Sequence, residues 1–351
     1  MELCKLIGAI TPPDEVARDA AQRRWDVCAK PLGSLGLLET AICEIAALTG
    51  SADVELSPRA VLVLCADNGV TAQGVTQTGS EVTAAVARQL ALGRTAVCRM
   101  AARADCRVVP VDLGIKDFPG CAGVLDCRVG NGTADFTEGP AMTREEAEAA
   151  ILEGVALVRA EAQRGTRLLA AGEMGIGNTT TASALSSVLL GVEPERVTGR
   201  GAGLSDEGLR RKLGAIRRGI EVNRPDADDA LDVLAKLGGF DLAGLCGVFL
   251  GGALCRIPVL IDGFPSAAAA LCAARLCPAA KKAMLASHVS AEPAGALLLR
   301  ALEKQPLITA GLRLGEGSGA VAAMPLLDMA LAVYRACYTF AEGGIEPYTR
   351  L

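Results

Sequence analysis

The sequence predicts an α/β protein in which helices cover both faces of a parallel β-sheet. A short run rich in β-forming residues, then a glycine-rich polar loop, then a helical pattern recurs along the chain. Strands that alternate with helices in this way form parallel sheets. The core is expected to be aliphatic, because 51% of the residues are hydrophobic and only 3% are aromatic. No fixed-period repeat is visible, so a solenoid or propeller is not expected.

The first predicted helix and strands lie in the amino-terminal part of the chain. Thr11 can cap a helix with Pro12 at its first position, and the helical pattern continues over residues 14–29. The next elements are a strand over 60–65, a polar loop over 66–69, a helix from about 81 to 103 and a second strand over 107–111.

The following helix has a clear start signal. Thr143 and, three residues later, Glu146 form a capping box, and the helical pattern ends at Gly165. Its apolar face is formed by Ile151, Val155, Val158 and Ala162. A strand over 167–171 and a helix over 179–190 come next, and further strands are predicted over 257–261, 283–286 and 307–310.

The glycine-rich loops are expected to gather on one side of the sheet. Crossovers between parallel strands are right-handed, so all these loops emerge at the carboxyl edge, where ligands bind in open α/β sheets. The two ends of the chain differ from this pattern. Both the first 25 or so residues and residues 324–340 have helical patterns, and we expect them to pack together as a small helical lobe.

Charge and histidine content argue against several classes of function. Lys plus Arg number 35 and Asp plus Glu number 40, giving a net charge of −5. With so few aromatic side chains to stack on bases, no nucleic-acid partner is expected. The single histidine, His288, cannot form a multi-histidine metal site, and we expect neither a metal nor a cofactor. The pattern favours His288 as a hydrogen-bonded packing residue over a catalyst.

Cysteine usage and hydropathy indicate a cytoplasmic location without a membrane partner. The thirteen cysteines are odd in number and contain no CxxC pair, so buried thiols are favoured over disulfides. The start of the chain lacks the long apolar centre of a signal peptide. The richest apolar stretch, residues 242–255, spans 14 residues without a charge, whereas a membrane-spanning helix needs about 20.

One loop has the composition of a phosphate-binding turn. Residues 172–180 (GEMGIGNTT) join a strand to a helix with three glycines and one carboxylate. Backbone amides at a helix amino terminus bind phosphate, and glycine lets the backbone approach the ligand closely. The alternative is a tight turn with a capping Asn or Thr. The loop is not a Walker A motif, because it lacks Gly-Lys followed by Ser or Thr.

Two further loops are candidate sites. Residues 314–320 (LGEGSGA) place Glu316 between two glycines, where its carboxylate can reach a ligand as a general base. The alternative is a Glu at a helix amino terminus, favoured by the helix dipole, and the pattern alone does not decide. Residues 199–203 (GRGAG) are a weak signal, and Lys212 in the charged helix that follows is by default solvated. By themselves these loops predict a phosphate-bearing small molecule and an acid–base carboxylate.

Eight segments together resemble one family, the nicotinate-nucleotide–dimethylbenzimidazole phosphoribosyltransferases of the cobalamin lower-ligand pathway. They occur in the family's order and span nearly the whole chain. The segments are 30–39 (KPLGSLGLLE), 65–77 (CADNGVTAQGVTQ), 172–180, 199–204, 238–244 (GGFDLAG), 262–264 (DGF), 287–293 (SHVSAEP) and 312–329 (LRLGEGSGAVAAMPLLDM).

The resemblance implies a fold and a reaction. The fold is a Rossmann-like parallel α/β domain over residues 30–322 with a small helical domain made from residues 1–29 and 323–351, assembled as a homodimer. The reaction transfers 5-phosphoribosyl from nicotinate mononucleotide to 5,6-dimethylbenzimidazole or a related lower-ligand base. It releases nicotinate and forms α-ribazole 5′-phosphate.

The resemblance also implies roles for individual residues. The family's general base falls on Glu316, and its second active-site carboxylate falls on Glu173. The base-binding pocket includes Thr78, Val86 and Leu314. Contacts to nicotinate mononucleotide fall on Gly175, Ile176, Gly177, Asn178, Thr179, Gly201, Gly203, Lys212 and Ser290.

The sequence departs from the family pattern at a few positions. Many relatives have His where this chain has Asn68, so that His cannot be essential. Thr78 and Val86 stand where some relatives carry Ser and Gln. Val86 cannot donate a hydrogen bond, so recognition of the base there would rest on apolar packing. Dimethylbenzimidazole, other benzimidazoles, purines and phenols all remain candidate acceptors.

Two other classes of function are less well supported. A non-catalytic protein that binds nucleotides or cobamide precursors could use the same glycine loops, but it would be expected to lack a catalytic carboxylate, and both Glu173 and Glu316 are present. A kinase or NTPase is disfavoured, because the chain has no Walker lysine and no paired carboxylates for a metal ion.

Overall fold

The computed structural model describes residues 2–349. Met1, Arg350 and Leu351, the outermost residues of the predicted small domain, lie outside this range. The strands are β1 (Arg59–Ala66), β2 (Cys106–Gly114), β3 (Leu125–Asp126), β4 (Leu168–Met174), β5 (Val259–Ile261) and β6 (Met284–Ala286). The helices are α1 (Glu2–Gly8), α2 (Glu15–Val27), α3 (Leu37–Thr49), α4 (Glu81–Ala91), α5 (Ala96–Arg103), α6 (Arg144–Gln163), α7 (Asn178–Leu190), α8 (Asp206–Asn223), α9 (Ala230–Leu237), α10 (Phe240–Cys255), α11 (Phe264–Leu276), α12 (Gly295–Ala301) and α13 (Ser318–Ala336).

The six strands form one sheet in the order β3-β2-β1-β4-β5-β6, and every neighbouring pair is parallel. The chain starts at β1 in the middle, extends to one edge through β2 and β3, and then adds β4, β5 and β6 on the other side. The order therefore reverses between β1 and β4, where a doubly wound sheet opens a crevice at its carboxyl edge. The predicted α/β class with a parallel sheet is confirmed.

Helices bury both faces of the sheet. All residues of β1 are buried, and successive side chains of a strand point to opposite faces. Leu62 and Leu64 pack with α6, α7, α9, α10 and α11 on one face. Val61 and Val63 pack with α2, α3, α4, α5 and α13 on the other face. This double coverage explains why the strands are continuously apolar in sequence.

The richest apolar stretch of the sequence forms the central core helix α10. Residues 240–253 of this helix are all buried. It crosses α6 so closely that a Cβ added at Gly247 would lie 1.9 Å from the carbonyl oxygen of Ile151. The capping box that starts α6 is present, with the Glu146 amide donating to Thr143 Oγ1 and the Thr143 amide donating to Glu146 Oε2.

Two helix predictions in the amino-terminal part were wrong at their boundaries. Helix α2 is capped by Asp14, whose Oδ1 accepts from the amides of Val16 and Ala17, and not by Thr11. The predicted continuous helix over 81–103 is two helices, because the chain turns at Gly93 in the left-handed region (φ +69°). The helical spacing of apolar residues over 81–103 does not by itself reveal the turn between the two helices.

Two predictions in the carboxyl-terminal part were also wrong. The strand predicted over 307–310 is a single bridge between Ile308 and His288. The helix predicted over 324–340 starts earlier and ends earlier, as α13, with Pro325 inside it. Among the described residues, α13 is the one helix long and apolar enough to cross a membrane, and half of its apolar window is buried inside the structure.

The two ends of the chain contact each other. The rings of Trp25 and Tyr334 lie 5.0 Å apart, and the amide of Ala29 donates to the carbonyl of Tyr338. The helices that carry the two rings share an apolar cluster with Val61 and Val63 of the sheet. The division into domains over 30–322 and over 1–29 plus 323–351 stays a prediction.

Candidate active site

A cavity opens at the carboxyl edge of the sheet, where the strand order reverses. It encloses about 1100 Å³ of empty space, part of it open to solvent. Its wall is built from loops that follow β1, β4, β5 and β6, together with residues 200–202, residue 204 and residues 313–316. The parallel topology therefore brings together glycine-rich loops that are distant in sequence.

Glu173 stands at the end of β4 and closes the bottom of this cavity. Its side chain is buried, and its Oε2 accepts a short hydrogen bond from the side-chain amide Nδ2 of Asn178. Burial raises the pKa of Glu173 to about 8, and the carboxylates of Asp241 and Asp262 add to this increase by repulsion. Burial also raises the pKa of Asp241, at the start of α10, to about 7. Three carboxyl groups thus share a region with little access to water.

Glu316 is presented by a strained loop. Gly315, Glu316 and Gly317 have φ angles of +90°, +60° and +83°. Residues other than glycine rarely adopt this left-handed backbone region. The loop is fixed against β4, because the Glu316 amide donates to the Glu173 carbonyl at 3.2 Å. A Cβ at Gly172 would lie 2.6 Å from the Glu316 carbonyl oxygen, so only glycine allows this approach.

The carboxylate of Glu316 lines the cavity and also contacts a second helix. Its Oε2 accepts from the amide of Val97, at the amino terminus of α5, over 3.3 Å. The sequence left two alternatives for Glu316, a general base at a ligand site and a carboxylate at a helix amino terminus. The structure agrees with both in part, because the carboxylate borders a cavity and also lies at the amino terminus of α5.

Asp262 ties the start of α13 to the sheet. This buried carboxylate follows β5 and accepts from the amides of Gly317 and Ala320 at 3.2 and 2.9 Å. Next to it, the imidazole of His288 is buried, with Nδ1 3.0 Å from the hydroxyl of Ser287. The ring lies against the start of α13, because a Cβ at Gly319 would be 2.1 Å from Nδ1. His288 is thus a packed, hydrogen-bonded residue that also borders the cavity.

A buried lysine supports the other end of the cavity. Lys212 on α8 is 1% exposed, so the default expectation of a solvated lysine is wrong. Its Nζ donates to Thr179 Oγ1 at 2.8 Å and to the Gly199 carbonyl at 3.3 Å. Burial lowers the pKa of Lys212 to about 8, and the nearby Glu292 carboxylate partly offsets this. The lysine lies behind Thr179 rather than on the cavity wall.

Most of the residues singled out by sequence line this cavity. The amino terminus of α7 is capped by Gly177 in the left-handed region, without a side-chain cap, so the turn with a capping Asn or Thr is not formed. Residues 175–179 around this terminus line the cavity, and the amino terminus of a helix suits an anion. The predicted residues on the wall are Thr78, Glu173, Gly175, Ile176, Gly177, Asn178, Thr179, Gly201, Ser290, Leu314 and Glu316.

Three predicted residues are not on the wall. Lys212 acts from behind Thr179, and Gly203 accepts a short hydrogen bond from the side chain of Gln77. Val86 on α4 is half-buried against an apolar cluster. A different residue of α4, Thr83, contacts the site, because its hydroxyl accepts from the amide of Ile176 at 3.1 Å.

Sequence reasoning missed five charged residues at the site. Arg200, Glu292 and Arg313 line the cavity, and Asp241 and Asp262 lie buried near Glu173. All five fall inside the segments that carry the family resemblance. Their positions in these segments could have indicated a role at the site, but their residue types alone did not distinguish them from charged residues on the surface.

Known proteins resemble this chain over nearly its whole length. Residues 10–345 match the family model described as phosphoribosyltransferase. The nicotinate-nucleotide–dimethylbenzimidazole phosphoribosyltransferase of Acetivibrio thermocellus is 46% identical over 94% of each chain, and that of Halalkalibacterium halodurans is 42% identical over 97% of this chain and 96% of its own. The crystal structure of CobT from Thermus thermophilus superposes with a TM-score of 0.89 at 42% identity, covering 94% of this chain and 99% of that one.

Proposed function

The chain belongs to the nicotinate-nucleotide–dimethylbenzimidazole phosphoribosyltransferase family, and from this premise we propose the reaction that it catalyses. The 5-phosphoribosyl group of nicotinate mononucleotide moves to 5,6-dimethylbenzimidazole or a related base. The products are nicotinate and α-ribazole 5′-phosphate. The observation that carries this proposal is that Glu316 and Glu173 border the same cavity as the amides before α7 and the hydroxyls of Thr179 and Ser290.

The substrate needs little help to lose its base. The pyridine nitrogen of nicotinate mononucleotide carries a positive charge, and it becomes neutral when the bond to the sugar breaks. An ordinary glycoside needs a carboxylic acid to protonate its leaving group, whereas this pyridinium needs none. A site with one general base is therefore sufficient.

Glu316 is the proposed general base. As the benzimidazole nitrogen bonds to ribose C1′, the N–H on its other nitrogen becomes acidic, and a carboxylate can take that proton. A positioned base contributes about 10²–10⁴ in rate, or roughly 3–5 kcal/mol. Glu173 is the proposed second carboxylate, which in its ionised form stabilises positive charge that develops at C1′.

The phosphate is proposed to bind at the amino terminus of α7. The amides of Gly177 and Thr179, for which the described residues provide no acceptor, and the hydroxyls of Thr179 and Ser290 supply donors there. Lys212 adds a positive charge behind Thr179. Held at that end, the ribose presents one face of C1′ to the incoming base. Attack opposite the departing nicotinate turns a β-ribotide into an α-ribotide, and alignment of the two reactants supplies further acceleration.

Two residues of the cavity wall bear on which base binds. Thr78 and the exposed Leu314 line the cavity, whereas Val86 lies away from its wall. These contacts support an apolar, planar acceptor and do not by themselves select dimethylbenzimidazole. Incubation of the enzyme with nicotinate mononucleotide and a panel of benzimidazoles, purines and phenols, with products identified by mass, measures the preference.

Assembly and location belong to the same proposal. The family resemblance supports a homodimer in the cytoplasm, with the division into domains given above. Analytical ultracentrifugation of the full chain measures the assembly directly. A non-catalytic binding protein is not favoured, because both carboxyl groups that the reaction needs are in place at the cavity.

The central test is Glu316→Gln. Gln keeps an oxygen that can accept from Val97 and removes the base, so we expect the protein to fold and the formation of α-ribazole phosphate to fall by about 10²–10⁴. Glu303→Gln is the matched control, because Glu303 has the same left-handed backbone (φ +58°) outside the cavity and should keep full activity. A Glu316→Gln enzyme with normal turnover would show that another group accepts the proton.

A further inference from the structure

Glu292 has a carboxylate on the cavity wall without a hydrogen-bond donor. Its own amide donates to Ser290 Oγ at 3.3 Å, but among residues 2–349 no group donates to either carboxylate oxygen. Its Oε2 is buried from solvent. A buried acceptor without a partner destabilises a protein, and more so when it is charged. Such a group at a binding cavity is expected to gain its partner from the ligand.

The carboxylate is held in place from behind. A Cβ at Gly199 would lie 1.9 Å from Glu292 Oε2, so the absence of a side chain at Gly199 makes room for it. Lys212 is close enough for the Glu292 charge to raise its pKa, but the hydrogen bonds of Lys212 Nζ go to Thr179 and to the Gly199 carbonyl. Glu292 thus lies beside the proposed phosphate site without pairing with its cation.

The chemistry of the substrates leaves one match for this acceptor. The phosphate and the nicotinate carboxylate are anions that would be repelled by Glu292. The N–H of the incoming base is the proton that Glu316 removes. The remaining donors on nicotinate mononucleotide are the ribose 2′- and 3′-hydroxyls, which lie between the phosphate and the reacting carbon.

We propose that Glu292 accepts a hydrogen bond from the ribose diol and so selects ribosyl over deoxyribosyl donors. This inference rests on the proposed function. Glu292 is a substrate-binding residue in this account, and it leaves the proton transfer to Glu316. Recognition by an otherwise unpaired buried group gives strong discrimination, because a substrate without the hydroxyl leaves the carboxylate unsatisfied.

The test compares nicotinate mononucleotide with its 2′-deoxy and 3′-deoxy analogues, by turnover and by calorimetric binding. For the unmodified enzyme we expect kcat/KM to fall by about 10–100-fold for at least one analogue. Glu292→Leu should reduce that difference to less than about twofold. Glu292→Gln should be intermediate, because its amide oxygen accepts a hydrogen bond without a charge. Ser290→Ala, on the phosphate side, should weaken all three substrates equally and keep the discrimination.

The outcomes separate the inference from the proposed function. The inference is wrong if Glu292→Leu and Glu292→Gln keep the full preference for the ribosyl donor. It is also wrong if both variants weaken binding of all three donors by one common factor and change the pH dependence of binding, because Glu292 would then act through Lys212. If no ribazole phosphate forms while binding still distinguishes the diol through Glu292, the inference holds and the proposed function fails.

Discussion

The carboxyl group of Glu173 carries the largest electrostatic constraint at the site. It is buried, the carboxylates of Asp241 and Asp262 lie near it, and it accepts a hydrogen bond from the side-chain amide of Asn178. Without a ligand, a pKa of about 8 keeps most of this group protonated at neutral pH. A pyridinium substrate in the cavity brings a positive charge, which favours the ionised form. Substrate charge and Glu173 charge are therefore linked.

This linkage predicts the pH dependence of catalysis. If ionised Glu173 stabilises the charge at C1′, kcat/KM should rise with pH and level off above an apparent pKa of about 8. Asp241→Asn removes a neighbouring charge that raises the pKa of Glu173, so the rise should move to lower pH. Steady-state rates between about pH 6 and about pH 9.5 measure both profiles. A flat profile in the parent enzyme would contradict the role given to Glu173.

Individual site residues were predictable to different degrees. The place of Glu316 between two glycines made it a candidate, and the family resemblance then gave it the role of general base. Both flanking glycines have positive φ angles in the structure, which explains why glycine is favoured there. Lys212 looked solvated because its neighbours in sequence are charged, yet its own position on α8 faces Thr179. Burial of a long charged side chain depends on what packs against the helix, and that information is absent from the local sequence.

At the scale of elements, the crossing of α6 and α10 sets the shape of one sheet face. Gly247→Ala would force a methyl group against the Ile151 carbonyl, and backbone atoms cannot yield as a flexible side chain does. We expect a loss of roughly 1–3 kcal/mol or more in the free energy of unfolding. Gly214→Ala on α8 is the matched control, because among residues 2–349 no atom outside the adjoining backbone of α8 lies within 4 Å of the added Cβ.

The control should change stability in the opposite direction. Ala is about 1 kcal/mol more favourable than Gly inside a helix, so Gly214→Ala should raise the free energy of unfolding by about that amount. Urea unfolding followed by circular dichroism measures both variants. Equal effects of the two substitutions would mean that the helix crossing is looser than the structure indicates.

Element types were more predictable than element ends. The capping box at Thr143 located the start of α6, because the signal is local and chemical. The break at Gly93 was missed because the apolar residues keep a helical spacing on both sides of the turn. The segment around Ile308 has an apolar run typical of a strand, but it forms only a single bridge. The carboxyl-terminal helix was predicted to start at 324, but α13 already begins at Ser318, where Asp262 accepts from the amide of Ala320.

At the scale of the whole molecule, the terminal helices are joined to the sheet by a shared core. Trp25 is the single tryptophan and is fully buried next to Tyr334 and the apolar cluster that includes Val61. Its fluorescence therefore reports on the terminal helices, whereas far-UV circular dichroism reports on the whole chain. We expect the two unfolding curves to coincide, because the shared cluster couples the two regions.

A variant sharpens this test. Tyr334→Phe removes the hydroxyl that donates to the Ala52 carbonyl at 2.7 Å and should cost roughly 1 kcal/mol. Both curves should shift together to lower urea. Fluorescence that changes well before circular dichroism would instead identify the terminal segments as an independently unfolding domain.

The parallel sheet was predictable as a whole, but its strand order was not. Alternation of strands and helices is a local property of the sequence, and it indicated parallel pairing directly. The placement of β4 beside β1 depends on which distant surfaces pack together, and β3 is only two exposed residues, Leu125 and Asp126, with no apolar signal.

The central place of β1 has a consequence for biosynthesis. A ribosome releases β1 and β2 well before β4, so one edge of the nascent sheet keeps unpaired backbone N–H and C=O groups until β4 has been translated. Such an edge attracts other unfinished chains until it is covered. Rapid elongation between β2 and β4, or a chaperone that shields the waiting edge, therefore favours a high yield of folded enzyme in the cell.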